Sequence, residues 1–181
     1  MALLALAVLG GLAVGLLRGG RLRRLHAVRL RAVPLVWAAL GAQLVPGIGS
    51  SPPPEAVRDA LVVASYVGVG VWLAINAWCQ AGGLGTAFAM LGLGWLLNVV
   101  PMVLNGGMPV SSAALWAVGA GGAVVEEGHL WKHVPATAET EAAWLGDVVP
   151  VPPAGAVISA GDIALLLGSG AAAAAALRGV S

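Results

Sequence analysis

The chain has 181 residues, of which 59% are hydrophobic and only 9% are charged, and its formal net charge is +1. A soluble domain carries roughly 25% charged residues, so this chain has too few charges to make the surface of a soluble domain polar. The composition excludes an ordinary soluble enzyme, a nucleic-acid-binding protein, a disulfide scaffold (Cys79 is the single cysteine) and a disordered chain, and it predicts an integral membrane protein.

Five apolar segments, taken in chain order, are the predicted membrane spans. They cover about residues 2–17, 32–48, 60–79, 84–104 and 157–177. A helix needs about 20 predominantly apolar residues to cross roughly 30 Å of hydrocarbon. We therefore predict an all-α, polytopic membrane protein that forms one integral membrane domain over residues 1–181. Residues 105–156 are predicted to form a cap on its extracytoplasmic side.

The basic residues predict the orientation of these spans. Seven of the nine lie at one side of the predicted membrane, six of them between the first two spans. Loops rich in Arg and Lys stay in the cytoplasm, so the alternation of spans puts all eight acidic residues outside or at that interface. We expect a plasma-membrane protein with its N-terminus outside and its C-terminus in the cytoplasm. The seven are Arg18, Arg21, Arg23, Arg24, Arg29, Arg31 and Arg178.

Small and aromatic residues predict how the helices pack and where they are anchored. Gly11, Gly15 and Gly19 recur at intervals of four, so they lie on one face of the first helix, where small residues allow close helix packing. Tryptophans such as Trp37 and Trp78 are expected at the interface with the lipid headgroups.

One apolar segment of the cap, residues 110–125, is only 16 residues long and contains several glycines. We interpret it as an interfacial or re-entrant helix that begins with Ser111 or Ser112 as its N-cap, after Pro109. A full crossing is the alternative, and it would move the acidic stretch that follows to the cytoplasm.

Polar side chains gather at the predicted outer face. Asn98 and Asn105 are seven residues apart, so they lie on one face of the fourth span, and Asp162 lies one turn into the fifth. Polar groups at membrane depth are costly and often functional. Together with Lys132 and His133 of the cap, they define a candidate site at the extracytoplasmic interface.

Several of these residues also have a structural interpretation. Ser159 and Asp162 have the spacing of a capping box ahead of an apolar run. Asp147 could hydrogen-bond its own turn, and Asn105 could cap a helix C-terminus.

The sequence does not predict a metal site, although three residues have a suggestive spacing. Glu126, His129 and His133 have the i, i+3, i+7 spacing that puts them on one helical face, and two histidines four residues apart can ligate a transition metal. Gly128 interrupts that helix and no fourth ligand is evident, so a solvated charged face is the favoured interpretation. No cofactor is expected.

Four short motifs carry a resemblance to a known family. They are Asn-Gly-Gly-Met-Pro-Val at 105–110, Lys132-His133, Leu-Gly-Asp-Val-Val-Pro-Val-Pro at 145–152, and Ile-Ser-Ala-Gly-Asp at 158–162. Their order and spacing resemble an uncharacterised family of bacterial multi-pass membrane proteins, described only as a domain of unknown function. The resemblance implies a shared fold, a bacterial plasma membrane, and a common site formed by Asn105, His133, Asp147 and Asp162.

The favoured function is a polar ligand- or partner-binding site, in a protein that could be an accessory subunit. Asn98, Asn105, Lys132 and His133 are its predicted ligand-binding residues. Besides the lipid bilayer, the candidate partners are a lipid, a quinone or another membrane protein, and no nucleic acid is expected.

The alternative is an intramembrane aspartyl hydrolase or peptidase. Two carboxylates that share one proton can activate a water molecule, and Asp147 and Asp162 are the predicted catalytic dyad. The stretch 160–168 resembles the second catalytic motif of the GxGD intramembrane proteases, which include the prepilin peptidases, although Ser159 replaces the first glycine of that motif.

Overall fold

The computed structural model describes residues 2–44, 54–121 and 133–178. The chain is mostly helical and has the architecture of an all-α polytopic protein. Among the described residues, three helices are long and apolar enough to cross a membrane, and two shorter helices are also apolar. The α-helices of the described residues are α1 (Ala2–Leu17), α2 (Val33–Leu44), α3 (Glu55–Cys79), α4 (Gly82–Asn105), a short α5 (Ser112–Ala117) and α6 (Ala160–Arg178).

The helix lengths separate the clear spans from the short ones. With 25 and 24 residues, α3 and α4 are each about 36–38 Å long at 1.5 Å per residue. The 12 residues of α2 give about 18 Å, and residues 45–53, which would complete the predicted second span, lie outside the described residues. Helix α3 begins five residues before the predicted span, because the polar segment at its start is also helical.

The three long helices and the two shorter apolar ones form a row in the order α1, α6, α4, α3, α2. Within this row, α6, α4, α3 and α2 each run antiparallel to the next helix, as contacts between their residues indicate. Gln43 of α2 reaches Ser65 of α3, Tyr66 of α3 reaches Met102 of α4, and Asn98 of α4 reaches Asp162 of α6. We call the end of the row that carries Asn105 and Ser159 the cap end, and the end that carries Arg24 and Arg178 the arginine end.

Glycines allow three of these helices to approach closely. A Cβ on Gly11 of α1 would stand 2.1 Å from the Gly170 carbonyl oxygen of α6, and one on Gly94 of α4 would stand 2.7 Å from the Gly161 oxygen. No real Cβ fits at such distances, so both contacts need glycine. Gly19 does not follow the predicted pattern: it ends the turn after α1 with φ +82 and has open space around it.

The outer surface of the row is strongly apolar. Leu6 and Leu9 of α1 are 65% and 61% exposed, and Trp37 and Trp78 are 67% and 91% exposed. An exposed apolar surface of this extent is unfavourable in water. It is consistent with a protein embedded in a membrane and in contact with lipid.

The cap end carries two short sheets between α4 and α6. Strand β1 (Met108–Val110) pairs in parallel with β2 (His133–Pro135), with Met108 opposite His133. Strand β3 (Val149–Val151) pairs in antiparallel fashion with β4 (Ala156–Ile158). The first two residues of the predicted fifth span, 157 and 158, therefore belong to a hairpin, and the helix starts only after Ser159 caps it.

The apolar cap segment also forms a shorter helix than predicted. Of the two predicted N-cap residues, Ser111 and Ser112, it is Ser111 that caps the helix, and its Oγ accepts a hydrogen bond from the Ala114 amide. The helix that follows, α5, has only six residues, which is about 9 Å and far too short to cross a membrane. Residues 122–132 lie outside the described residues.

Candidate functional site

A pocket of about 210 Å³ lies where α3, α4 and α6 meet the cap. It joins residues from six different elements or loops of the chain. Four of the residues singled out in the sequence line it together. The complete lining is Tyr66, Asn98, Met102, Met108, His133, Asp147 and Asp162.

The floor of the pocket is fixed by hydrogen bonds between α4 and the start of α6. Asn98 Nδ2 donates to Asp162 Oδ1 at 2.9 Å, and the buried Ser159 hydroxyl donates to Asn98 Oδ1 at 2.7 Å. The Ser159 amide donates to Asp162 Oδ2, and the Asp162 amide donates to Ser159 Oγ. This reciprocal pair is the predicted capping box. Asp162 Oδ2 accepts a hydrogen bond within the box, and Asp162 Oδ1 accepts the one from Asn98.

Strand β1 explains how His133 and Asp147 come together. It pairs with the His133 strand through Met108 and Val110, and on its other side Val110 bridges to Asp147. The Asp147 amide donates to the Pro109 oxygen at 2.8 Å. Gly146 allows this approach, since a Cβ there would stand 2.4 Å from the same oxygen.

His133 and Asp147 face each other across this strand. His133 Nε2 is 3.5 Å from Asp147 Oδ2, which is longer than an ordinary hydrogen bond. The histidine side chain is 40% exposed and the aspartate side chain 10%. Within the described part of the chain, the other aspartate oxygen, Oδ1, is buried without any hydrogen-bond partner. The interpretation that Asp147 bonds its own turn therefore does not describe this side chain.

A buried carboxylate oxygen without a partner is costly, because it has lost its water and gained no donor. Among the described residues around it, the Asp162 carboxylate and the Met102 and Met108 sulfurs are acceptors. The Tyr66 hydroxyl already donates to Met102 Sδ at 3.6 Å, and Asn98 Nδ2 already donates to Asp162. The His133 ring, which also lines the pocket, lies beside the other oxygen, Oδ2. No Lys or Arg of the described chain lines the pocket. Within the described lining, two carboxylates therefore stand against a single imidazole, and the pocket suits a group that brings donors and positive charge.

Asn105, a predicted ligand-binding residue, lies outside this lining and holds the cap in place. Its Nδ2 donates to the carbonyl oxygens of Pro101 and Glu141, both at 2.8 Å, and its Oδ1 accepts from the Glu141 amide at 2.9 Å. The left-handed residue that ends α4 is Gly106, with φ +69, so Asn105 ends the helix without adopting that conformation itself.

The remaining predicted residues lie outside the described part of the chain. They are Lys132, Glu126 and His129, so the structure gives them no position. Within the described residues, no group of three His, Cys, Asp or Glu side chains could hold a metal ion.

Four residues of the site were not identified from the sequence as part of it. Ser159 was considered only as a cap, and Met102 and Met108 look like ordinary apolar residues. Tyr66 had a usable signal, because it is the single tyrosine of the chain and a polar group inside a predicted span.

Comparison with known proteins identifies the family. Residues 27–172 match the model of a family of unknown function, DUF5317, and the chain belongs to that family. No curated protein and no solved structure gives a significant match.

Proposed function

We propose that the protein is a membrane-embedded binding protein whose polar pocket takes the cationic, hydrogen-bond-donating head of a small ligand or lipid. One observation carries this proposal: the buried and unpartnered Asp147 Oδ1 in a pocket that is lined by a second carboxylate and by no Lys or Arg of the described chain. A primary ammonium group would supply both the missing donor and the opposite charge. The Tyr66 ring and the two methionines suit the carbon chain next to it.

The volume of the pocket limits the ligand. At about 210 Å³, it is smaller than the roughly 300–1,000 Å³ of pockets that enclose drug-sized molecules. A headgroup or a short amine fits this space, and the remainder of an amphiphile would extend along the apolar helices.

Thermal unfolding of the detergent-solubilised protein tests this proposal. We expect n-butylammonium to raise the unfolding midpoint, while n-butyrate at the same concentration does not. At a ligand concentration of ten times Kd, binding should raise the free energy of unfolding by about 1.4 kcal/mol. Asp147→Asn removes the charge and should abolish the effect.

The matched control is Glu141→Gln, which removes an exposed carboxylate of the same cap outside the pocket. This variant should respond to n-butylammonium like the unmodified protein. Equal stabilisation by butyrate, or equal loss of the effect in both variants, would show that the ions act non-specifically and would overturn the proposal.

An aspartyl hydrolase is the second candidate, favoured by the fact that Asp147 and Asp162 line one pocket. The hydrogen bonds to both Asp162 oxygens favour a structural role for that residue and weigh against it. Mass spectrometry of membranes from cells that carry Asp147→Asn or Asp162→Asn separates the two candidates. If the protein is a hydrolase, the same uncleaved substrate should accumulate in both variants and in cells that lack the protein. If no such substrate accumulates, catalysis by the two aspartates is excluded.

We place the protein in a bacterial plasma membrane with the cap end outside and the arginine end in the cytoplasm. Helices α2, α3, α4 and α6 alternate in direction, and α1 runs parallel to α6, because Gly11 lies against Gly170 and Gly15 against Ala174. These directions and the arginines at one end support five crossings with this orientation. Single cysteines at residues 20, 55, 82 and 140, introduced after Cys79 is replaced, test it with an impermeant thiol reagent. Residues 55 and 140 should label from outside, and residues 20 and 82 only after permeabilisation. The reverse pattern would refute the orientation.

A further inference from the structure

A second and larger pocket, of about 510 Å³, lies at the arginine end. Its basic lining comes from three arginines: Arg24 and Arg29 from the connection between α1 and α2, and Arg178 from the last turn of α6. Along α4, Leu84 of this pocket and Asn98 of the polar pocket are 14 residues apart, which is about 21 Å at 1.5 Å per residue. The two pockets are therefore separate sites with opposite charge.

The three guanidinium groups have no acidic partner among the described residues. In the ranges that the structure describes, no carboxylate forms an ion pair with any of them, and all three residues are exposed. Like charges that converge on one cavity repel each other unless an anion lies between them. The cavity thus has a clear electrostatic preference for negative charge.

The basic segment is held in a defined position by its backbone. Gln80 Nε2 donates to the Arg29 carbonyl oxygen at 2.7 Å. Asn76, which is fully buried, exchanges two hydrogen bonds with the backbone of Arg31. The Arg24 guanidinium donates to the Arg178 carbonyl oxygen. These bonds fasten the connection to α3 and α6, so the arginines are brought together before any ligand arrives.

The N-terminus of α4 adds to the positive potential. Ala81, Gly83 and Leu84 line the cavity, and the N-cap residue, Ala81, has no side chain that could accept from the first amides of the helix. The first four N–H groups of a helix lack partners within it and favour a bound anion.

We propose that this pocket binds a phosphate group, carried either by the headgroup of an anionic lipid or by a soluble phosphate compound. Guanidinium groups bind phosphate oxygens through paired charge-assisted hydrogen bonds. The volume lies within the range of pockets that hold small molecules and leaves room for the glycerol part of a headgroup. The proposal does not depend on the function of the polar pocket, which lies at the other end of the helices.

Two probes test the proposal on the full chain in detergent micelles. Native mass spectrometry measures the retention of phosphatidylglycerol against phosphatidylcholine, and calorimetric titration measures the binding of inorganic pyrophosphate. Retained phosphatidylglycerol that pyrophosphate does not displace identifies a lipid headgroup, and pyrophosphate binding without lipid retention identifies a soluble phosphate. Binding of neither probe overturns the proposal.

Arg29→Gln is the main variant, because the fold uses the carbonyl of Arg29 while its side chain has no hydrogen-bond partner within the described residues. We expect it to weaken the binding of the retained probe by about tenfold, the effect of losing one charge-assisted contact, with an unchanged unfolding midpoint. Arg178→Gln should have a similar effect.

Arg23→Gln is the matched control. It removes the same charge from the same connection, but Arg23 does not line the pocket. This variant should bind within about threefold of the unmodified protein, since only screened long-range attraction is lost. If Arg23→Gln weakens binding as much as Arg29→Gln, the attraction is a property of the whole basic segment and the proposed pocket is refuted.

Discussion

The contact between α4 and α6 makes a quantitative prediction for Ser159→Ala. The Ser159 hydroxyl makes two hydrogen bonds at once: it accepts from the Asp162 amide at 2.9 Å and donates to Asn98 Oδ1 at 2.7 Å. The residue is fully buried. The substitution therefore removes the cap of α6 and also leaves an amide oxygen of α4 without its donor.

The two losses have separate magnitudes. Replacement of a serine N-cap by alanine costs about 1 kcal/mol, and a buried acceptor without a partner costs about 1–3 kcal/mol. We expect Ser159→Ala to lower the free energy of unfolding by about 2–4 kcal/mol. Ser111→Ala is the control, since Ser111 caps α5 through one longer bond of 3.3 Å, and it should cost about 1 kcal/mol or less.

Unfolding by sodium dodecyl sulfate in mixed micelles, followed by tryptophan fluorescence, measures these costs. A double-mutant cycle isolates the second loss: when Asn98→Ala is already present, Ser159→Ala should cost only about 1 kcal/mol, the cap itself. Equal costs for Ser159→Ala and Ser111→Ala, together with additive effects in the cycle, would refute this account of the helix contact.

Three further predictions concern the same end of the molecule. Gly161→Ala places a Cβ 2.0 Å from Asn98 Oδ1, so it should lower the free energy of unfolding by about 1–3 kcal/mol in the same titration. Asn105→Ala removes three hydrogen bonds and should accelerate hydrogen exchange of the cap amides by about tenfold or more, without change in the helices. The Thr137 hydroxyl hydrogen-bonds Glu139 and lowers the pKa of that carboxyl, so Thr137→Val should raise the pKa in an NMR titration. Because the folded pKa lies below the unfolded one, the stabilisation is present at neutral pH and is lost as the pH falls through the folded pKa.

Much of the helical architecture could be predicted from the sequence because it depends on local properties. The apolar segment 84–104 predicts a helix that differs from α4 by one or two residues at each end. The spacing of Ser159 and Asp162 predicts the capping box, since both partners lie within one turn. The prediction was less accurate at residues 157–158, where pairing with Val149–Val151 takes the chain into a hairpin although the residues are as apolar as those of the helix that follows.

The composition of the pocket was harder to predict from the sequence than the helices. The cost of polar groups near a membrane was enough to single out Asn98, Asp147 and Asp162. It could not distinguish a residue that lines the pocket from one that only holds the cap in place by hydrogen bonds to the backbone. Asn105 has the same composition-based signal as Asn98, yet its three hydrogen bonds go to backbone atoms. Tyr66 was missed because its role depends on which helix α3 faces.

The sequence by itself determined that this is a membrane protein, which segments are helical and where the charges lie, because hydropathy, capping and charge are properties of neighbouring residues. Only the tertiary structure decided which of the distant residues share a pocket. His133 and Asp147 meet because β1 pairs with both of their segments. Arg24 contacts Arg178, and Arg29 lines the same pocket, because α6 ends beside the connection between α1 and α2. Such contacts join residues that are far apart in the chain, so no local pattern records them.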